Sequence, residues 1–231
     1  MTEPRGPEKI QSEVRLLEGS SSGFRTWERT MAITIVTICG SVRPGNFTGK
    51  ALALVHDELT KRPEVEVLPL ILGTFQLPLP GQSADPEPLE RFRAAVKSAT
   101  GVVLATPEYH GSFSGALKIA IENLGFPSVL SGKPVALLGV AAGEIGAIKS
   151  LEHLRSVCAH VGSIVLPGLV SVPRVQELFD AEGRCGDARM EKRIRSVATM
   201  LVDYIKGAVC SRIELEAMIR GKVGAAAEPP V

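Results

Sequence analysis

The sequence predicts an α/β domain built on a doubly wound parallel sheet of five strands, with helices on both faces in three layers. Three observations carry that expectation. Residues 32–39, 101–106 and 133–140 are β-branched or aliphatic runs almost free of charge, as expected of strands covered on both faces. Between such runs lie segments with apolar residues three and four apart, the spacing of amphipathic helices. Small and turn-forming residues follow the runs at 40–48, 106–114 and 141–146. Those three loops fall at the carboxyl ends of strands, where open parallel sheets bind their ligands.

In chain order, residues 1–30 are polar and carry Ser20-Ser21-Ser22-Gly23. They read as an extension outside the core, with a loose helix around 10–18. Met31 directly precedes the first strand and offers a second start for a domain spanning 31–206. The first strand ends at Gly40, and a helix over 48–61 follows, with Ala51, Leu52, Leu54, Val55 and Leu59 on one face. A strand at 65–71, a Pro-rich loop at 73–88 and a helix at 89–98 come next. The strand at 101–106 leads to a helix from Ser114 or Gly115 to about residue 124. The strand at 133–140 leads to a helix at 146–160. A last strand at 161–172 is broken by Pro167-Gly168, and a helix at 187–206 closes the domain. Residues 207–231 form a second extension, helical as far as 220 at most and then a polar tail.

Composition narrows the function. A hydrophobic share of 45% supports a large core, and a net charge of +1 supplies no field for nucleic acid or an acidic membrane. Cys39, Cys158, Cys185 and Cys210 lack the paired spacing of a zinc site or iron–sulfur cluster, so no metal is expected and a reducing cytoplasmic setting fits. No apolar run reaches the roughly 18–20 residues of a membrane span, and no secretory leader is expected.

The loop at 40–48 reads as a phosphate cradle. It feeds a helix whose free N–H groups attract anions, with Asn46 or Thr48 as cap. Ser41, Asn46 and Thr48 add short donors and Arg43 a charged fork. Its spacing fits neither a P-loop nor a dinucleotide fingerprint. Cys39 reads as a packed strand-end residue. The loop after the third strand sets two rings, Tyr109 and His110, beside Gly111 and Gly115, which suits a flat heteroaromatic ligand. Glu108 reads as a charge facing solvent or capping a neighbouring loop. Small residues at 141–146 leave room for a ligand edge. The histidines at 56, 110, 153 and 160 form no nucleophile–base–acid set in the sequence.

Gly40-Ser41-Val42-Arg43 with Asn46 and Thr48, then Pro107-Glu108-Tyr109-His110-Gly111-Ser112 and Gly115-Ala116-Leu117-Lys118, resembles the NAD(P)H-dependent FMN reductase family, which includes chromate, quinone and azo-dye reductases. The resemblance implies a flavodoxin-like fold with strand order 2-1-3-4-5 and noncovalent FMN. It places the phosphate against Ser41, Arg43, Asn46, Thr48 and the Phe47 backbone. It places the isoalloxazine along Pro107, Glu108, Tyr109, His110, Gly111 and Ser112, with Gly143 at the ring's far edge. Asn46 stands where the family usually has serine. The implied reaction is ping-pong: NADPH or NADH gives a hydride to the flavin, and a small acceptor (flavin, quinone, chromate or azo compound) then collects it. No side chain need be catalytic, and Tyr109 and His110 would shape the acceptor space. A homodimer or homotetramer is implied as well. The competing readings are a flavodoxin-type one-electron carrier and a flavin-free interaction protein on the same scaffold. Near-neutral charge and an arginine in the phosphate loop argue against the carrier.

Overall fold

In this computed structural model the described residues are 33–213 and 216. The expected extension at 1–30, its helix at 10–18 and the tail at 221–231 lie outside them.

The chain alternates strand and helix. β1 (Ile33–Cys39), α1 (Phe47–Thr60), β2 (Val65–Ile71), α2 (Pro86–Ser98) and β3 (Gly101–Tyr109) come first. β4 (Ser112–Phe113), α3 (Gly115–Glu122), β5 (Pro134–Val140) and α4 (Ile148–His160) follow. β6 (Ile164–Val165), β7 (Val170–Val172), α5 (Val175–Leu178) and α6 (Ala188–Tyr204) complete the described domain, with a π-helical turn over Ile205–Cys210. No described helix is long and apolar enough to cross a membrane.

The sheet runs β2-β1-β3-β5-β6, with β7 also paired to β5, and every one of these pairings is parallel. Taking β6 and β7 as one interrupted strand gives the order 2-1-3-4-5. The register Cys39↔Ala105 and Thr106↔Gly139 brings the carboxyl ends of the central strands together at one end of the sheet. Alternation along the strands builds two cores. Ile33, Ile35, Val103, Ala105, Ala136 and Leu138 point to one face, where α1 and α6 cover them with Val55, Leu59, Ile194, Val197 and Leu201. Val36, Ile38, Val102, Leu104, Val135 and Leu137 point to the other, under Phe92 of α2, Leu117 of α3 and Leu154 of α4. The result is the doubly wound, three-layer flavodoxin-like architecture.

The last strand is interrupted at Pro167-Gly168, as the sequence expects: Pro167 has no N–H to give and Gly168 turns with φ +79°. Three details differ from the sequence expectation. β3 continues three residues beyond Thr106 and folds back into β4, so Pro107 lies in the sheet, paired to Val140. α2 starts at Pro86, where proline presets the first turn and the Asp85 side chain accepts from Glu87 N at 3.1 Å. The short helix α5 was not expected at all.

Candidate functional site

The loop between β1 and α1 is held by its own residues. Gly40 N–H donates to Ala105 O at 2.7 Å, and Gly40 O accepts from Ser114 Oγ at 2.5 Å. A Cβ at Gly40 would lie 2.8 Å from the Ala105 carbonyl oxygen, so only glycine fits this crossing. Asn46 then closes the loop. Its Nδ2 donates to Arg43 O at 2.6 Å and its Oδ1 caps α1 by accepting from Gly49 N at 2.7 Å. Of the two caps the sequence left open, Asn46 is the one used. The first-turn N–H groups of Phe47 and Thr48 have no backbone acceptor among the described residues. Beside them the Ser41 hydroxyl is buried with no partner among the described residues. The Arg43 guanidinium lies over the Tyr109 ring, 5.0 Å from its centroid, joining the first loop to the second.

A cavity of about 460 Å³ opens here. Ser41, Arg43, Asn46, Phe47 and Thr48 form one wall, and Pro107, Glu108 and Tyr109 form the other. Eight of the expected site residues therefore share one cavity. His110, Gly111 and Gly143 line a neighbouring cavity of about 500 Å³. The two have Glu108, Ala141 and Ala142 in common.

The ring-side segment is a tight hairpin. Tyr109 pairs with Ser112, and the two residues between them both take left-handed backbone, His110 at φ 50° and Gly111 at φ 74°. Two central residues with φ above zero are what a two-residue hairpin with the right twist requires. His110 is thus the hairpin tip, with its ring exposed. Thr106 Oγ1 accepts from Ser114 N at 3.1 Å and donates to Pro107 O at 2.9 Å, tying the hairpin's base. Ser112 is the one expected site residue that lines neither cavity; its Oγ lies 3.1 Å from His153 Nδ1 on α4. Among the described residues no carboxylate bonds to that imidazole. Glu108 turns to the same helix, accepting from Ser150 N at 3.1 Å.

Sequence reasoning missed the backing of the third loop. Arg174 N donates to Gly143 O at 3.2 Å, Val175 N to Ala141 O at 3.0 Å, and Gln176 Nε2 to Ala142 O at 3.1 Å. Arg174 itself is left-handed, at φ 45°, and its guanidinium pairs with Glu144 at 2.5 Å. Val140, Ala142 and Val175 also line the first cavity. The one hint in the sequence was Pro173, which ends a strand at the ligand end of the sheet.

Reactive side chains are not what this site offers. Burial pushes the Cys39 thiol above its usual range, and its weak bond to Ser41 O only partly offsets that. A protonated thiol is a poor nucleophile. No group of His, Cys, Asp or Glu among the described residues could hold a metal ion. What the site offers is a helix start with free first-turn N–H groups beside a buried hydroxyl, joined to a slot lined by Tyr109 and by small residues at 141–143.

Known proteins resemble this chain over most of the described domain. The family description "NADPH-dependent FMN reductase" matches residues 33–177. An NAD(P)H-dependent FMN reductase of Pseudomonas aeruginosa is 32% identical over 182 residues, covering 75% of this chain and 96% of that protein. A quinone reductase of Escherichia coli K12 is 31% identical over 138 residues, 58% of this chain and 73% of that one. Among solved structures, a flavoenzyme NAD(P)H:(acceptor) oxidoreductase of Paracoccus denitrificans superposes with a TM-score of 0.65 at 25% identity, covering 75% of this chain and 97% of that one. By the extent of these matches, the chain belongs to the NADPH-dependent FMN reductase family of oxidoreductase enzymes.

Proposed function

We propose that this chain holds FMN across the two cavities and uses it to pass reducing equivalents from NADPH or NADH to a small acceptor. The observation that carries the reading is the buried Ser41 hydroxyl, without a partner among the described residues and set beside the helix start. Burying an unpaired hydroxyl costs about 1–3 kcal/mol, and a phosphate oxygen is the acceptor that would relieve it there. Arg43, Asn46, Thr48 and the Phe47 N–H complete a phosphate site with both charge and donors. Pro107, Glu108, Tyr109, His110, Gly111, Ser112 and Gly143 would frame the ring, with Ser112 acting through the hairpin rather than by lining the cavity.

When bound, FMN supplies the hydride chemistry, taking a hydride from the nicotinamide and yielding two electrons to a quinone, flavin, chromate or azo acceptor in a separate, ping-pong half-reaction. The chain's own part is geometric. Tyr109 would position the planar substrate at reacting distance, and the small residues at 141–143 would leave one ring face open to both substrates in turn. A cytoplasmic setting, where the nicotinamide donors are, belongs to the same reading.

The purified protein is expected to take up FMN, and NADPH or NADH should bleach its visible bands anaerobically in one phase. Stepwise chemical reduction should pass directly from the oxidised to the reduced spectrum. A protein that takes up no FMN would sink the reading. One that binds FMN yet is reduced by neither nucleotide would be an electron carrier.

Assembly as a homodimer or homotetramer is part of the proposal. Phe126, fully exposed just beyond α3, and the half-buried Ala116 and Ile119 on that helix support it. A monomer by light scattering at micromolar concentration would remove it.

A further inference from the structure

Helix α4 starts without a capping side chain of its own, because its N-cap position is Ala147. Donors left over at such a start are met by residues distant in sequence. Ser171 Oγ on β7 accepts from Ala147 N at 2.8 Å, and Glu108 Oε2 on β3 accepts from Ser150 N at 3.1 Å. Ser150 is the third residue of the helix, where a free N–H ordinarily meets the N-cap oxygen. Glu108 supplies that oxygen from 42 residues away, and sets a carboxylate at the positive end of the helix dipole.

Glu108 also stands where the two cavities meet, directly before the Tyr109 ring. Across the hairpin from Tyr109, Ser112 reaches His153, three residues along the same helix from Ser150. The hairpin is therefore fastened to α4 at two points, and the residues at 141–147 are the lead-in to that helix. Holding Glu108 on Ser150 holds the hairpin and the lead-in at a fixed separation, and those two segments are the walls of the ring-side slot.

We propose that the Glu108 side chain is a positioning group: its carboxylate caps α4 and so sets the width of the slot that its own backbone helps to frame. The inference rests on the FMN reading of the site, and its test separates the two. Amide hydrogen exchange is measured on flavin-free protein, and FMN and riboflavin affinities by fluorescence titration, for wild type, Glu108→Ala and Glu108→Gln. In Glu108→Ala, exchange at 147–150 should rise about tenfold, the effect of losing one helix cap. FMN and riboflavin should weaken together, because the slot and not the phosphate cradle is disturbed. Glu108→Gln keeps an acceptor oxygen and should restore most of both. Unchanged exchange in Glu108→Ala, or faster exchange with both affinities intact, would overturn the proposal, as would a Gln variant no better than Ala. Should Glu108→Ala fail to fold, Glu108→Asp carries the same test, its reach shortened by one methylene. Wild type that takes up neither flavin would overturn the FMN reading and the slot claim with it, while exchange at 147–150 would still decide the cap.

Discussion

The phosphate-side loop and the ring-side slot solve the same problem, holding backbone still around a ligand, with different reach. In the first, Asn46 caps its own helix and closes on Arg43, both three residues away. Only Gly40, bonded to Ala105 and Ser114, is held from afar. In the second, Glu108 reaches Ser150, Ser112 meets His153, Ser171 holds Ala147 and Gln176 holds Ala142, across 24 to 42 residues. A cradle made of local bonds can form as soon as its helix does. A slot made of distant ones exists only when β3, α4, β7 and α5 have all docked. The first should thus tolerate damage elsewhere in the domain, and the second should register it.

The sharpest way to break that contrast is Gly40→Ala, which strikes the one long-range crossing in the local loop. Overpacking against the Ala105 carbonyl should cost about 1–3 kcal/mol and displace the cradle, so chemical denaturation should show lower stability and FMN uptake should fall with it. Normal stability with normal uptake would mean the crossing is slack. Arg43→Ala comes next. Loss of a charge-assisted bond should weaken FMN by about 1.5–3 kcal/mol while riboflavin, which has no phosphate, binds both proteins equally. Equal FMN affinity in a titration would move the phosphate elsewhere. The smallest effect concerns the hairpin tip. His110→Asn keeps a residue that accepts left-handed backbone and should leave stability within about 0.5 kcal/mol. His110→Val should cost about 1–2 kcal/mol in the same denaturation measurement. A valine as stable as asparagine would show that the tip is not held in its turn.

The same difference of reach decides what could be read from the sequence. Strand runs, amphipathic helices and the three ligand-end loops depend on local pattern, and so does the Asn46 cap. Glu108 shows the limit. A carboxylate beside an aromatic ring has many readings, and only the placement of α4 shows which N–H it meets. His110 reads as a shaping ring, yet its φ of 50° shows that the turn needs its backbone first. Pro167-Gly168 signalled a break in the last strand, but not that both fragments would pair with β5. Helix α5 carries four residues, too few for a periodic signal, although Val175 lines the first cavity.

That interrupted strand has a bearing on aggregation. A parallel sheet leaves a row of unpaired N–H and C=O groups along each outer strand, a template on which another chain can add. Here one margin is cut into fragments of two and three residues, too short to guide a stranger's backbone. The opposite margin, β2, carries Pro69, which has no N–H to offer, and an exposed Glu66 beyond it. Lateral growth of the sheet formed by the described residues is discouraged on both sides, so any contact between copies of this chain would fall to helices and turns, where side chains and not backbone choose the partner.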